Sequence, residues 1–226
     1  MAGQEIVLTN KTDGFKLGAY HAQARGERKG GLVLIQEIFG VDATMHALSD
    51  DFAGDGFEVI APSLFDRSYR GFHAEHDEEG VKAGISAAMA VDWEKTCGDI
   101  QAAIDALEGP VFIAGFCWGG GATWIAACRC TGLTAAASFY GRLVVSHLNE
   151  TPGVPVIFHY GAEDGGIPLT GNVDLVQAAI TPPSAVYIYE DAGHAFMAER
   201  AYHEPSARLA KRRTLEFFAD PAKAPA

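Results

Sequence analysis

Short, continuous apolar runs separated by helix-length segments constrain this chain more than any other feature. Leu32-Val33-Leu34-Ile35 and Val111-Phe112-Ile113-Ala114 show no polar alternation, the mark of strands buried on both faces. Phe57–Ala61, stopped by Pro62, and Ala135–Tyr140, Val154–Tyr160 and Ala185–Tyr189 read as further strands. Ile6–Leu8 and Phe15–His21 read as an opening pair joined by the turn Asn10-Lys11-Thr12-Asp13-Gly14. Between the strands lie segments of helical period. The clearest follows Asp92, a suitable N-cap, and sets Trp93, Cys97, Ile100, Ile104 and Leu107 on one face. Others run from about Ala43 to Ala53 and from near Ser206, where Ala207, Ala210, Phe217 and Phe218 share a core stripe. Residues 66–80 read as irregular, polar and acidic. Buried strands alternating with helices predict an α/β fold, a mainly parallel central sheet with helices on both faces. No linker divides the chain, so residues 1–226 are expected to form a single domain.

A chain of 226 residues can bury about 70% of its unfolded surface without disulfides or metals. Apolar residues at 48% and charged residues at 20% exclude a disordered or collagen-like chain. The net charge of −12 repels phosphate backbones and argues against a general nucleic-acid binder. Residues 109–128 carry no formal charge, yet Pro110 and five glycines make this stretch a strand, a turn and a helix rather than a membrane span. The start, Met1-Ala2-Gly3-Gln4-Glu5, has no basic segment followed by an apolar core, so no signal peptide is expected. Four cysteines are few for a secreted disulfide scaffold. A cytoplasmic location is the expectation.

Gly115-Phe116-Cys117-Trp118-Gly119-Gly120 follows a buried strand and opens a helix. That is the context of a nucleophile elbow, with Cys where Ser is usual. The tight turn favours glycine at Gly115 and Gly119. Cys117 would project from the C-terminal edge of the sheet at a helix N-terminus, which stabilises a thiolate. The Trp118 N–H can face a developing oxyanion. On this scaffold an acid and then a His should follow the nucleophile. His194 lies in a loop directly after the last strand, where the base is expected. Glu163 and Asp164 follow the preceding strand and its turn, and Asp164 is preferred because its shorter side chain fixes an imidazole more tightly. Glu190 and Asp191 share a loop with His194 and are poorly placed to approach it from behind.

These segments, with Gln36-Glu37-Ile38-Phe39-Gly40, Gly161 to Asp164 and Ala192-Gly193-His194-Ala195-Phe196, resemble the dienelactone hydrolase family over nearly the whole chain. The resemblance implies a compact, lidless α/β-hydrolase fold and a Cys-His-Asp triad acting on a small-molecule lactone or ester. It implies no cofactor, metal or membrane, and the chain is expected to act as a monomer or weak homodimer. It also implies that Glu37 hydrogen-bonds the resting thiol and helps move its proton, and that Ile38 supplies the second oxyanion N–H beside Trp118. Family members that take dienelactone carry two arginines for its carboxylate. Here those positions hold Ala198 and, by alignment, Val81 or Lys82. Lys82 or Arg200 could substitute. Arg142, after Tyr140 and Gly141 at the same sheet edge, is an alternative cation, with Tyr140 beside it as a second substrate-contact candidate.

Two other readings compete. Glutamine amidotransferases and deglycase-like enzymes also carry Cys on a Gly-x-Cys-x-Gly elbow, but pair it with a His-Pro-Glu-type segment, whereas His194 precedes Ala-Phe. A non-catalytic binding scaffold is the other, since fold does not imply activity. His73-Ala-Glu-His76-Asp-Glu-Glu resembles a metal cluster but reads as a solvated loop or helix end. Cys128-Arg129-Cys130 is too close-spaced for an ordinary disulfide.

Overall fold

The apolar runs do become strands. In the computed structural model, which describes residues 3–226, they constitute an eight-stranded, mainly parallel sheet accompanied by six α-helices. Met1 and Ala2, part of the reading against a signal peptide, lie outside the described residues. The chain divides into two compact units, residues 3–113 with 130–133, and residues 114–129 with 134–226.

The first unit opens with β1 (Gln4–Thr9) and β2 (Lys16–Ala22), an antiparallel pair in which Leu8 faces Leu17. Their turn closes through Asn10, whose backbone N–H bonds Phe15 O at 2.8 Å and whose side-chain oxygen accepts from Thr12. Strand β4 (Phe57–Pro62) pairs antiparallel with β2 and parallel with β3 (Gly30–Ile35), every residue of which is buried. Three aspartates start the helices as side-chain caps, each satisfying otherwise orphaned N–H groups. Asp42 caps α1 (Ala43–Gly54), Asp77 caps α2 (Glu78–Met89) and Asp92 caps α3 (Trp93–Asp105). The acidic end of the stretch read as irregular is therefore the start of α2. Glu78 and Glu79 occupy its first turn, where the helix dipole favours negative charge.

The second unit begins in β5 (Val111–Phe116), fully buried, and turns at Cys117 into α4 (Trp118–Arg129), whose residues 118–127 are all buried. The uncharged twenty-residue stretch is thus a core strand and a core helix. Among the described residues no helix is long and apolar enough to cross a membrane. Strands β6 (Leu133–Phe139), β7 (Val156–Gly161) and β8 (Ala185–Tyr189) run parallel, with Phe139 opposite His159 and Tyr160 opposite Ile188. Tyr140 falls outside β6 and takes a positive φ of 39°. Helix α6 (Glu204–Ala219) buries Ala207, Ala210, Phe217 and Phe218, the expected core stripe. The short α5 (Asp174–Ala179) and the 3-10 turn Arg142–His147 carry too few residues to show a period in sequence.

Candidate active site

The parallel strands of the second unit fix where its chemistry lies, because each carries its following loop to one edge. Cys117 follows β5, Asp164 follows β7 and His194 follows β8. Cys117 adopts φ 56°, a left-handed conformation that a non-glycine residue holds only when its surroundings impose it. The imposition is visible. The Cys117 N–H bonds Phe139 O at 3.0 Å, and the Gly120 N–H returns to Cys117 O at 3.0 Å. A Cβ on Gly115 would collide with the Gly119 carbonyl and the Thr123 hydroxyl, and one on Gly120 with the Phe139 carbonyl. Gly115 thus needs to be glycine, as the tight turn suggested. The need at Gly120 depends on β6 and has no local signal.

Cys117 Sγ lies 3.2 Å from His194 Nε2, and His194 Nδ1 lies 2.6 Å from Asp164 Oδ2. Asp164 is almost fully buried, and its other oxygen accepts from the Gly166 N–H at 2.9 Å, which fixes the carboxylate. Glu163 is exposed. The loops carrying acid and base are tied by backbone bonds from Ala162 N to Tyr189 O and from Glu163 N to Ala192 O, both 2.9 Å. Gly161 is glycine because a Cβ there would strike the Ala192 carbonyl. Burial alone would lower the His194 pKa. The Asp164 and Cys117 hydrogen bonds and their charges outweigh it and push the value up to about 10. An imidazolium beside the sulfur and the N-terminus of α4 both attract negative charge to this point.

Tyr140 is buried with its ring centroid 5.1 Å from that of His194, and Arg142 is exposed at the start of the 3-10 turn. Trp118 is the first residue of α4. Glu37 and Ile38 belong to the first unit. Glu37 is buried and bridges to Gly40, and the Ile38 carbonyl packs so close to α2 that a Cβ on Gly84 would overlap it. His76 bonds Asp42 Oδ2 at 2.7 Å and meets the Phe39 ring at a tilt, while His73 is exposed near Gly71 O. Among the described residues no three His, Cys, Asp or Glu side chains gather as a metal site. All four cysteines are thiols.

A family model described as the dienelactone hydrolase family matches residues 17–221. The chain belongs to the dienelactone hydrolase family. A Salmonella typhimurium protein provisionally named carboxymethylenebutenolidase is 31% identical, over 92% of this chain and 84% of its own. The carboxymethylenebutenolidase of Pseudomonas putida is 28% identical, over 92% and 96%. A crystal structure from Klebsiella pneumoniae, provisionally a dienelactone hydrolase, superposes with a TM-score of 0.82 at 28% identity, covering 97% of this chain and all of its own. The fold is that of the α/β-hydrolases. The positions where the family resemblance implies arginines differ in exposure. Ala198 is buried, while Val81 and Lys82 are exposed on α2 and Arg200 is exposed in a 3-10 turn.

Proposed function

We propose that this protein hydrolyses small lactones or carboxylic esters of the carboxymethylenebutenolide type through Cys117, His194 and Asp164 and a thioester intermediate. The observation that supports it most is the continuous relay from sulfur to imidazole to buried carboxylate, with the nucleophile at a strained elbow. His194 Nε2 holds the proton taken from the Cys117 thiol as sulfur bonds the carbonyl carbon. The carbonyl π pair moves to oxygen, where the N–H groups of Trp118 and Ile38 are the donors that the family resemblance implies. Collapse breaks the bond to the alkoxide, which leaves with the proton held on His194. Water then attacks the thioester, gives its proton to His194, and the sulfur departs. A panel of lactones and short esters, each tried with wild-type protein and with Cys117→Ala, tests the reading. Turnover that survives the substitution contradicts it, and glutamine deamidation in place of ester cleavage would favour an amidotransferase.

Glu37 follows from the same resemblance. If it handles the thiol proton, Glu37→Gln keeps size and hydrogen bonding while removing charge, and shifts the pH profiles of both turnover and thiol alkylation. Profiles identical to wild type would reduce Glu37 to a structural acid.

Arg142 is the proposed substrate anchor. A charge-assisted hydrogen bond contributes about 1.5–3 kcal/mol, so Arg142→Ala is expected to raise KM for a carboxylate-bearing ester about ten- to a hundred-fold. KM for a neutral ester of the same size should change little. Equal movement of both values would remove Arg142 from the binding site.

A further inference from the structure

His159 lies on β7, fully buried, and takes no part in the steps above. Its Nε2 is 3.1 Å from Thr214 Oγ1 on α6, and its Nδ1 is 2.8 Å from the Tyr189 hydroxyl at the end of β8. Thr214 gives its only hydroxyl proton to Ala210 O at 2.9 Å. It must therefore accept from His159 Nε2–H, which leaves Nδ1 as an acceptor and makes Tyr189 the donor. One tautomer satisfies every group. Burial, reinforced by the Arg213 charge, lowers the His159 pKa to about 3, so the ring stays neutral among its ionisable neighbours Tyr187, Tyr189 and Arg213.

What Tyr189 holds gives this network its consequence. The Tyr189 carbonyl accepts from Ala162 N on the Asp164 loop and from Ala192 N on the His194 loop, at 2.9 and 3.2 Å. Its ring rests on Phe196, 5.2 Å away, two residues past His194. The His159 ring also stacks on Phe139, whose carbonyl holds the Cys117 N–H. We infer that His159 is a positioning residue, which pins Tyr189 and so sets the separation of His194 from Asp164 and Cys117.

The inference rests on the proposed triad. Its test uses p-nitrophenyl acetate turnover, the pH profile of Cys117 alkylation and the melting temperature. Tyr189→Phe removes one hydroxyl and His159→Phe removes both hydrogen bonds. Each is expected to lower kcat about tenfold with KM within about twofold, and to draw the alkaline limb of the alkylation profile to lower pH, because small misplacements at a reacting centre cost rate. His159→Asn returns an acceptor near the Nδ1 position and should recover most of kcat, whereas His159→Gln, with its amide at the Nε2 end, should not. A lowered melting temperature with kcat and profile unchanged, or recovery by Gln rather than Asn, overturns the inference. Wild-type turnover undiminished in Cys117→Ala instead overturns the triad itself.

Discussion

Cys117→Ala is expected to lower kcat for ester hydrolysis by a factor on the order of 10⁴ or more, the scale seen when a covalent nucleophile is lost. The fold should persist. Cys117 is half-buried, the substitution removes one hydrogen bond, to the half-buried His194 ring, and alanine carries the same Cβ through the turn at φ 56°. Circular dichroism and the melting temperature therefore serve as the control. In the wild-type protein iodoacetamide should modify Cys117 ahead of the other thiols. Exposure does not explain that order, because Cys128 and Cys130 are also half-buried and only Cys97 is buried. The selectivity comes from the imidazolium at 3.2 Å and from the N-terminus of α4. Peptide mapping after brief alkylation checks it, and equal labelling at Cys128 would show that the field at Cys117 is ordinary.

Asp164→Asn should lower kcat by a factor on the order of 10³–10⁴ with little change in KM. An amide can donate to His194 Nδ1, which places the ring proton on Nε2, where it cannot receive one from the thiol. The same substitution removes an anion that holds the His194 pKa up, so that pKa must fall from about 10. The sign for stability follows. A histidine whose pKa rises on folding stabilises the fold fully below its unfolded value of about 6.5, and that stabilisation is lost as pH rises to about 10. The melting-temperature gap between wild type and Asp164→Asn should therefore be largest near pH 6 and shrink toward pH 10. A gap independent of pH would mean that Asp164 acts through packing and not through the imidazolium. Glu163→Gln, on an exposed residue one position away, should leave both kcat and the gap unchanged.

What the chain revealed in advance was what is encoded locally. β3 and β5 were visible because strands buried on both faces must be continuously apolar. Asp92 was visible as a cap because the apolar face of α3 begins next to it. The elbow was visible because glycine, nucleophile and glycine sit within five residues of a buried strand. α2 was obscured because Asp77, Glu78 and Glu79, its cap and first turn, read as solvated polar sequence, and because Val81, Ile85 and Met89 on it are exposed, so its apolar residues mark no core face. Tyr140 ends an apolar run and so reads as strand, whereas its positive φ accompanies an N–H bond to the carbonyl of His159, far along the chain, at 2.7 Å. The His159 bonds reach 30 and 55 residues ahead to Tyr189 and Thr214. No window of sequence shows such a pair, since the residues meet only after the strands align. At Ala198 and at Val81 or Lys82 the residues alone signal nothing, and only the family resemblance implies arginines there, which is why the question of substrate choice is carried by the Arg142 prediction.

The claim on which the rest depends is that an acyl group passes through the Cys117 sulfur. Intact-mass spectrometry of protein quenched in acid during turnover of a slow ester reads this directly. The expected result is a mass increase equal to one acyl group, mapped to the Cys117 peptide, labile to hydroxylamine, and absent from Cys117→Ala. Steady turnover with no adduct on Cys117, or an adduct that persists in Cys117→Ala, would contradict it.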